Sequence, residues 1–384
     1  MGLSMPDGIF TGKPYEGPGA VLTTLHGDLA LPAFLPDATR GVLKSLDSAD
    51  MIACGVSGLV VNAFHLQSHP GISVVSALGG IHAFMNWPRP VMSDSGGFQV
   101  FSLIGESDKL GSVTSKGVRF RRTKGAESRL LTPAKSIQAQ FKIGADVLVC
   151  LDYCTRPEAS RDEEEKSVEL TVLWARMCKA EYERRADETR RKPLLFAVVQ
   201  GGGSPELRRR CAEQLLEIGF DGYGFGGWPL TDEGQLSEMV HFTAELIPAG
   251  YPKWGLGIGN PRALVEAAAC GYNLFDCVIP TRDARHRRLY IFKSKPEDAP
   301  RSPSGFYDVV HIQDEKHNRD SRPLDSRCDC LCCRNYSRAY LHHLFQIRDA
   351  LALRLATIHN LRFYTMLLEA LRAPSAARDE RARG

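Results

Sequence analysis

Four residues of the chain have the types and spacing of a metal site. The run Cys328-Asp329-Cys330-Leu331-Cys332-Cys333 packs its thiols into six positions, and His359 follows downstream. Thiolates crowd together cheaply only around a cation. Zinc takes four thiolate or imidazole ligands in a tetrahedron, and a set with all four positions filled by protein is structural. The CxCxxC spacing therefore predicts one structural Zn2+ held by Cys328, Cys330, Cys333 and His359; Cys332 could replace Cys333, but the spacing leaves it as the spare thiol. His342 and His343 are rival fourth ligands, only about two turns into the next helix. His359 is expected near a helix start, pinning the cysteine loop to the rest of the fold.

A second set is acidic. Asp94 stands in Ser93-Asp94-Ser95-Gly96-Gly97-Phe98-Gln99, Asp152 follows the apolar run 146–151, Gln200 precedes Gly201-Gly202-Gly203, and Asp276 lies in Phe275-Asp276-Cys277. Taken singly, each aspartate reads as a loop cap or turn residue. Together they fall at the ends of short apolar runs, where one carboxylate can serve as nucleophile and another as general acid and base. Gly226-Gly227, Gly257 and Gly259 fall at similar places and let backbone N–H groups approach a flat ligand. Just beyond Asp276 comes Arg282-Asp283-Ala284-Arg285-His286-Arg287-Arg288. These cations at the mouth of an acidic pocket suit a docked polyanion, and they equally suit a solvated loop.

The elements that must position these residues are short and apolar. Eight runs, at 32–35, 58–63, 90–92, 146–151, 194–199, 219–225, 253–258 and 274–279, read as strands covered on both faces. Helical segments lie between them. Residues 161–186 are long and charged, and the helices starting at Pro205 and Pro261 follow the plausible N-caps Ser204 and Asn260. Eight strand–helix alternations predict an α/β fold, a (β/α)8 TIM-type barrel with a C-terminal zinc-binding subdomain, in which the strand C-termini carry the active site. An open doubly wound sheet is the alternative, but no glycine fingerprint follows the first strand. The expected organisation is an irregular lead-in at 1–22, a barrel at 23–293, a connection with zinc region and closing helices at 294–372, and a polar tail at 373–384. The stretch 294–327 is expected to be irregular, with helices near 336–350 and 359–372.

Composition excludes little. Lys plus Arg number 48 against 45 for Asp plus Glu, a net charge of +3, so any nucleic-acid contact rests on local clusters. Hydrophobic residues are 43% and charged residues 24% of the 384, as in ordinary globular proteins. Eleven cysteines, mostly scattered singly, together with no membrane-length apolar run and no signal-like start, point to a reducing cytoplasm.

The combined segments resemble the tRNA-guanine transglycosylase family. The resemblance spans roughly residues 20–372. It rests on Asn62-Ala-Phe-His65-Leu, Asp94-Ser-Gly-Gly-Phe-Gln-Val-Phe-Ser-Leu, Val199-Gln200-Gly-Gly, Gly219-Phe-Asp-Gly-Tyr, Phe275-Asp276-Cys-Val-Ile-Pro-Thr-Arg282, and the stretch from Cys328 through Arg334-Asn-Tyr-Ser-Arg-Ala-Tyr-Leu-His-His-Leu-Phe. It implies a barrel with a zinc subdomain that exchanges a guanine in tRNA for a 7-deazaguanine of the preQ1 or queuine type. Asp276 would attack the ribose C1′ and Asp94 would act as acid and base. Asp94, Asp152, Gln200 and the Gly227 N–H would bind the purine edges, with Phe98 stacked on its face and Leu256 on the wall. Arg282 and Arg285 would hold flanking nucleotides, and a homodimer would form through 336–345. The chain departs from the family at Tyr153, at Trp228-Pro229 and at Leu256, where the accepted 7-substituent is decided. A non-catalytic RNA-binding subunit, or base exchange on DNA, is also compatible with these features.

Overall fold

The computed structural model describes residue 15 and residues 19–105, 110–121, 123, 125–189, 191–301 and 305–373. All eight predicted runs contain strands: β1 (Ala33–Pro36), β2 (Leu59–Asn62), β3 (Val91–Asp94), β4 (Val147–Val149), β5 (Leu194–Val199), β6 (Gly222–Phe225), β7 (Lys253–Gly255) and β8 (Leu274–Cys277). They form one parallel sheet in the order β1-β8-β7-β6-β5-β4-β3-β2. The sheet turns back on itself. Asp37, just past β1, bridges Val60 of β2, and the Ala38 N–H donates to the Val60 carbonyl at 2.7 Å. That closure makes a barrel and rules out the open sheet.

The strands read as largely apolar runs because both faces are dry, with Asp94 and Asp276 as polar exceptions towards their C-terminal ends. Leu35, Val60, Met92, Val147, Val149, Phe196, Val198, Trp254 and Leu274 fill the interior, and a second layer packs between strands and outer helices. The predicted helix starts are in place. Ser204 Oγ accepts from the Leu207 N–H, Asn260 Oδ1 accepts from the Arg262 N–H, and a proline follows each cap.

Three small antiparallel units were not anticipated: the hairpin Val21–Thr24/Gly27–Ala30, the sheet Gly111–Thr114/Gly117–Phe120/Arg129–Leu131, and the pair Arg288–Phe292/Tyr307–His311. The last corrects the expectation for 294–327, whose described residues hold a strand and two short 3-10 turns. In the first two the strands are brief and mostly part-covered, so apolar and polar positions mix; in the third, the stretch 289–292 is apolar and mostly buried but lies beyond the eighth barrel strand.

A second correction concerns His359. The final helix is continuous over Ala350–Arg372, and His359 lies near its middle. Asp349 caps this helix through the Leu351 N–H, and neither glycine nor proline interrupts it. It clamps the barrel along its length. Thr365 Oγ1 donates to the Cys54 carbonyl (2.6 Å), Asn360 Nδ2 to the Pro280 carbonyl (3.0 Å) and Arg372 Nε to the Pro32 carbonyl (2.8 Å). The polar tail beyond Ala373 and most of the lead-in, save residue 15 and residues 19–22, lie outside the described residues.

Candidate active site and metal centre

The C-terminal ends of the strands surround a cavity of about 530 Å3. Asp94, Phe98, Asp152, Gln200, Gly227, Leu256 and Asp276, all picked out from sequence, line it together. Asp37, Asn62 and Trp228 join them. Arg282 and Arg285 do not line the cavity. They sit on the short helix Ile279–Arg285, whose N-cap Val278 does. Arg282 is exposed, and Arg285 leans back so that its Nη1 donates to the Thr281 carbonyl at 2.7 Å.

Each carboxylate is held differently. Asp276, on β8, accepts at Oδ1 from the Trp254 indole N–H of neighbouring β7 (2.8 Å) and from the Gly257 N–H (3.2 Å). Both donors use one oxygen, and Oδ2 has no donor among the described residues. Burial pushes this carboxyl up to about 7, the nearby Asp94 charge adds to the rise, and the two donors oppose it. Asp94, ending β3, is pushed up to about 6 by burial, against one donor, Asn62 Nδ2, at 3.0 Å. Asn62 also caps the helix Ala63–Ser68 through its Oδ1, so its orientation is fixed from both ends.

Asp152 is likewise pushed up to about 6 by burial, partly offset by Gln200 Nε2, which donates to Oδ2 at 2.7 Å. The other end of that amide, Gln200 Oε1, is buried without a partner. A carboxylate and an open amide acceptor side by side suit a ring that presents several N–H donors. Asp37 was missed in the sequence. Burial, with Asp276 and Asp94 behind it, holds its carboxyl well above the ordinary range. The available signal was its place: it too directly follows a barrel strand.

The glycine wall depends on a residue that sequence reading passed over. Gly227 has φ +106, a region that disfavours side chains. Arg208 underlies it, 2% exposed, donating from Nη2 to the Gly226 carbonyl (3.0 Å) and from Nε to the Gly202 carbonyl (2.8 Å), with its guanidinium 4.3 Å from the Phe225 ring centre. It ties the ends of β5 and β6 together. Within Arg208-Arg209-Arg210 it looks like one more solvated cation. Only the helix phase, which aligns it with buried Leu207 and Cys211, marks it as inward.

Two departures from the family pattern separate here. Trp228 stands at the cavity rim, 48% exposed, edge-on to Phe98 with ring centres 6.1 Å apart, and its Nε1 donates to the Thr155 carbonyl. Pro229 and Leu230 continue the same wall. Tyr153 does not reach the cavity. It stacks on Phe101 at 4.8 Å, and its hydroxyl donates to Glu163.

The metal cluster assembles as the spacing predicts. The Sγ atoms of Cys328, Cys330 and Cys333 and a ring nitrogen of His359 all lie within 4.8 Å of one another, buried. His359 Nδ1 faces the thiols, 3.2 Å from Cys333 Sγ, and Nε2 donates to the Tyr290 carbonyl at 2.6 Å, which fixes the tautomer. The rivals are elsewhere: His342 bonds the Ile312 carbonyl, His343 is exposed, and Cys332 is outside the group. Three thiols and one imidazole, closed by protein on all sides, could hold a metal ion of zinc's preferences.

A parallel barrel with ionisable groups at its strand ends defines a barrel enzyme of the TIM type. Comparison with known proteins gives the particular family. Residues 19–377 match the family model described as queuine tRNA-ribosyltransferase. A protein of that name from Aromatoleum aromaticum is 40% identical over 359 residues, 93% of this chain and 91% of that one. Namesakes from Solidesulfovibrio magneticus (38%, covering 97% and 95%) and Psychrobacter sp. (37%, covering 91% and 88%) are similar over comparable lengths. The chain belongs to the queuine tRNA-ribosyltransferase family and is an enzyme of the pentosyltransferase class. No helix among its described residues is long and apolar enough to cross a membrane.

Proposed function

We propose that the chain exchanges a guanine in tRNA, at the anticodon wobble position, for a 7-deazaguanine base of the preQ1 or queuine type. The observation that carries this reading is the shared pocket of Asp276 and Asp94, one with a free carboxylate oxygen and the other poised near neutrality. The target nucleotide leaves its stack to enter the cavity. Asp276 Oδ2 bonds to C1′ as the C1′–N9 bond breaks, and Asp94 gives a proton to the departing guanine. The incoming base then loses its N9 proton to Asp94, attacks C1′ and displaces the Asp276 carboxylate. Splitting one displacement into two lowers each barrier.

Asp152, Gln200 and the Gly227 N–H read the purine edges, Phe98 covers its face, and Leu256 with Trp228 and Pro229 forms the wall that meets the 7-substituent. Arg282 and Arg285 hold flanking nucleotides. Cys328, Cys330, Cys333 and His359 hold one structural Zn2+, which takes no part in the chemistry. The enzyme works in the cytoplasm as a homodimer joined through residues 336–345, beside the metal loop.

Incubation with tRNA and labelled guanine tests the exchange. Label should enter tRNA, not duplex DNA, and Asp276→Ala should abolish uptake. Equal uptake by wild type and variant would remove Asp276 as nucleophile, and uptake into DNA alone would overturn the substrate. A competition among aminomethyl, cyano and queuine bases then assigns the 7-substituent.

A further inference from the structure

We propose that the three-stranded sheet inserted after β3 is a second track for the RNA backbone, on a part of the cavity mouth distinct from Arg282 and Arg285. This rests on the base exchange proposed above and names a surface that the reaction as described does not use.

The first observation is charge. Residues 111–135 carry seven Lys and Arg (116, 119, 121, 122, 124, 129 and 135) and a single carboxylate, Glu127, for a local charge of +6 in a chain whose total is +3. Lys116, Arg119, Arg121, Arg129 and Lys135 are exposed, and among the described residues none of the five has an ion-pair partner. At the Arg282 lip, by contrast, Asp283 lies 3.9 Å from Arg282 and 3.3 Å from Arg288, which partly neutralises those cations. Like charges held together with a single carboxylate among the described residues of the segment raise the potential and cost folding energy, a pattern expected where a polyanion supplies the missing charge.

The second observation is shape. A groove of about 510 Å3 runs between this sheet and the helices Ala63–Ser68 and Pro133–Ile143. Arg119, Arg129 and Lys135 line it against one carboxylate, Glu127, with Gln67 and Ser128 as neutral hydrogen-bonding groups. Ser95 and Gly96 line both this groove and the base cavity, so the two share a wall directly beside Asp94. A strand whose target base is turned into the cavity meets this groove if it leaves past that wall. The groove offers its phosphates cations there, and it offers the bases no aromatic platform except Phe64 and Phe120 at the floor. It is therefore suited to backbone contact without sequence readout.

The test uses the full chain with the exposed pair changed, R119E/R129E, and a charge-conserving control, R119K/R129K. Anticodon stem-loop binding is measured by fluorescence anisotropy across a salt series, next to steady-state exchange of labelled guanine. R119E/R129E should bind at least about tenfold more weakly, with a salt slope shallower by about 1.4, given roughly 0.7 per single-strand phosphate contact. Its KM for tRNA should rise while kcat at saturating tRNA and the affinity for free guanine hold, and R119K/R129K should restore binding. Wild type that takes no label into tRNA sinks the exchange itself. Normal exchange, with R119E/R129E matching wild type in KM and salt slope, sinks the groove alone. A change of oligomeric state without a change in KM assigns the surface to a protein contact and overturns the proposal in the same way.

Discussion

Trp254→Phe separates the role of Asp276 from every other feature of the pocket. The substitution keeps an aromatic ring in the barrel interior and removes one atom that matters, the Nε1 donor 2.8 Å from Asp276 Oδ1. A hydrogen bond to a charged group contributes about 1.5–3 kcal/mol, and at 1.36 kcal/mol per pKa unit its loss should raise Asp276 by about one to two units. Guanine release needs Asp276 ionised and Asp94 protonated, yet burial leaves Asp276 at about 7 and Asp94 at about 6. With the nucleophile held as the weaker acid of the pair, the productive arrangement is the minority one, and each further unit of separation costs about another tenfold. Single-turnover guanine release should therefore fall about 10- to 100-fold at its optimum. The alkaline limb of the pH profile, which here reports Asp276, should move up by about one to two pH units, while the acid limb near 6 stays. A uniform loss with both limbs unmoved, or a displaced acid limb, would refute the assignment of nucleophile and acid.

Three further outcomes follow from the structure. Cys328→Ser should lose the bound metal, measured by elemental analysis at roughly one equivalent per chain in wild type, and should lower the melting temperature before it affects the chemistry. Asp152→Asn should melt higher than wild type at pH 7.5 and not at pH 4, because burial raises the native carboxyl to about 6 and wild type loses stability as pH climbs through that value; base affinity should drop in the same protein. Arg208→Met should destabilise by about 2–4 kcal/mol in denaturant titration, since the Gly226 and Gly202 carbonyls lose their donor.

The parts of the fold legible in the sequence share one physical cause. Barrel strands are buried on both faces, so each of the eight shows as a short, largely apolar run, interrupted only by single residues such as Asp221 and Asp276. The hairpin 21–30 and the sheet 111–131 lack that signature, and the stretch 289–292, which has it, lies outside the strand–helix alternation. In Gly111–Thr114 half-covered positions alternate with exposed ones, and nothing in Gly-Ser-Val-Thr distinguishes such an edge from a loop. The final helix was read too short because His359 suggested a boundary, whereas the buried face formed by Leu355, Ile358, His359 and Phe363 runs through it.

At the site, chemistry-bearing residues at strand ends were visible one by one, and the parallel barrel brings them together. Residues that act through others were not visible. Arg208 is hidden among surface-like arginines, Trp254 reads as core until its indole N–H is seen on Asp276, and Asp37 reads as a turn residue after β1. Tyr153 errs the other way: a departure from the family pattern next to Asp152, it faces Phe101 and leaves the cavity wall to Trp228 and Pro229.

The covalent step is tested most directly by trapping it. The protein is mixed with tRNA without an incoming base, denatured, digested and searched by mass spectrometry for a nucleotide-linked peptide. Wild type should give an adduct that survives denaturant and maps to the peptide carrying Asp276, and Asp276→Ala should give none. An adduct on another residue, or label exchange in the Asp276→Ala variant at the wild-type rate, would contradict the mechanism.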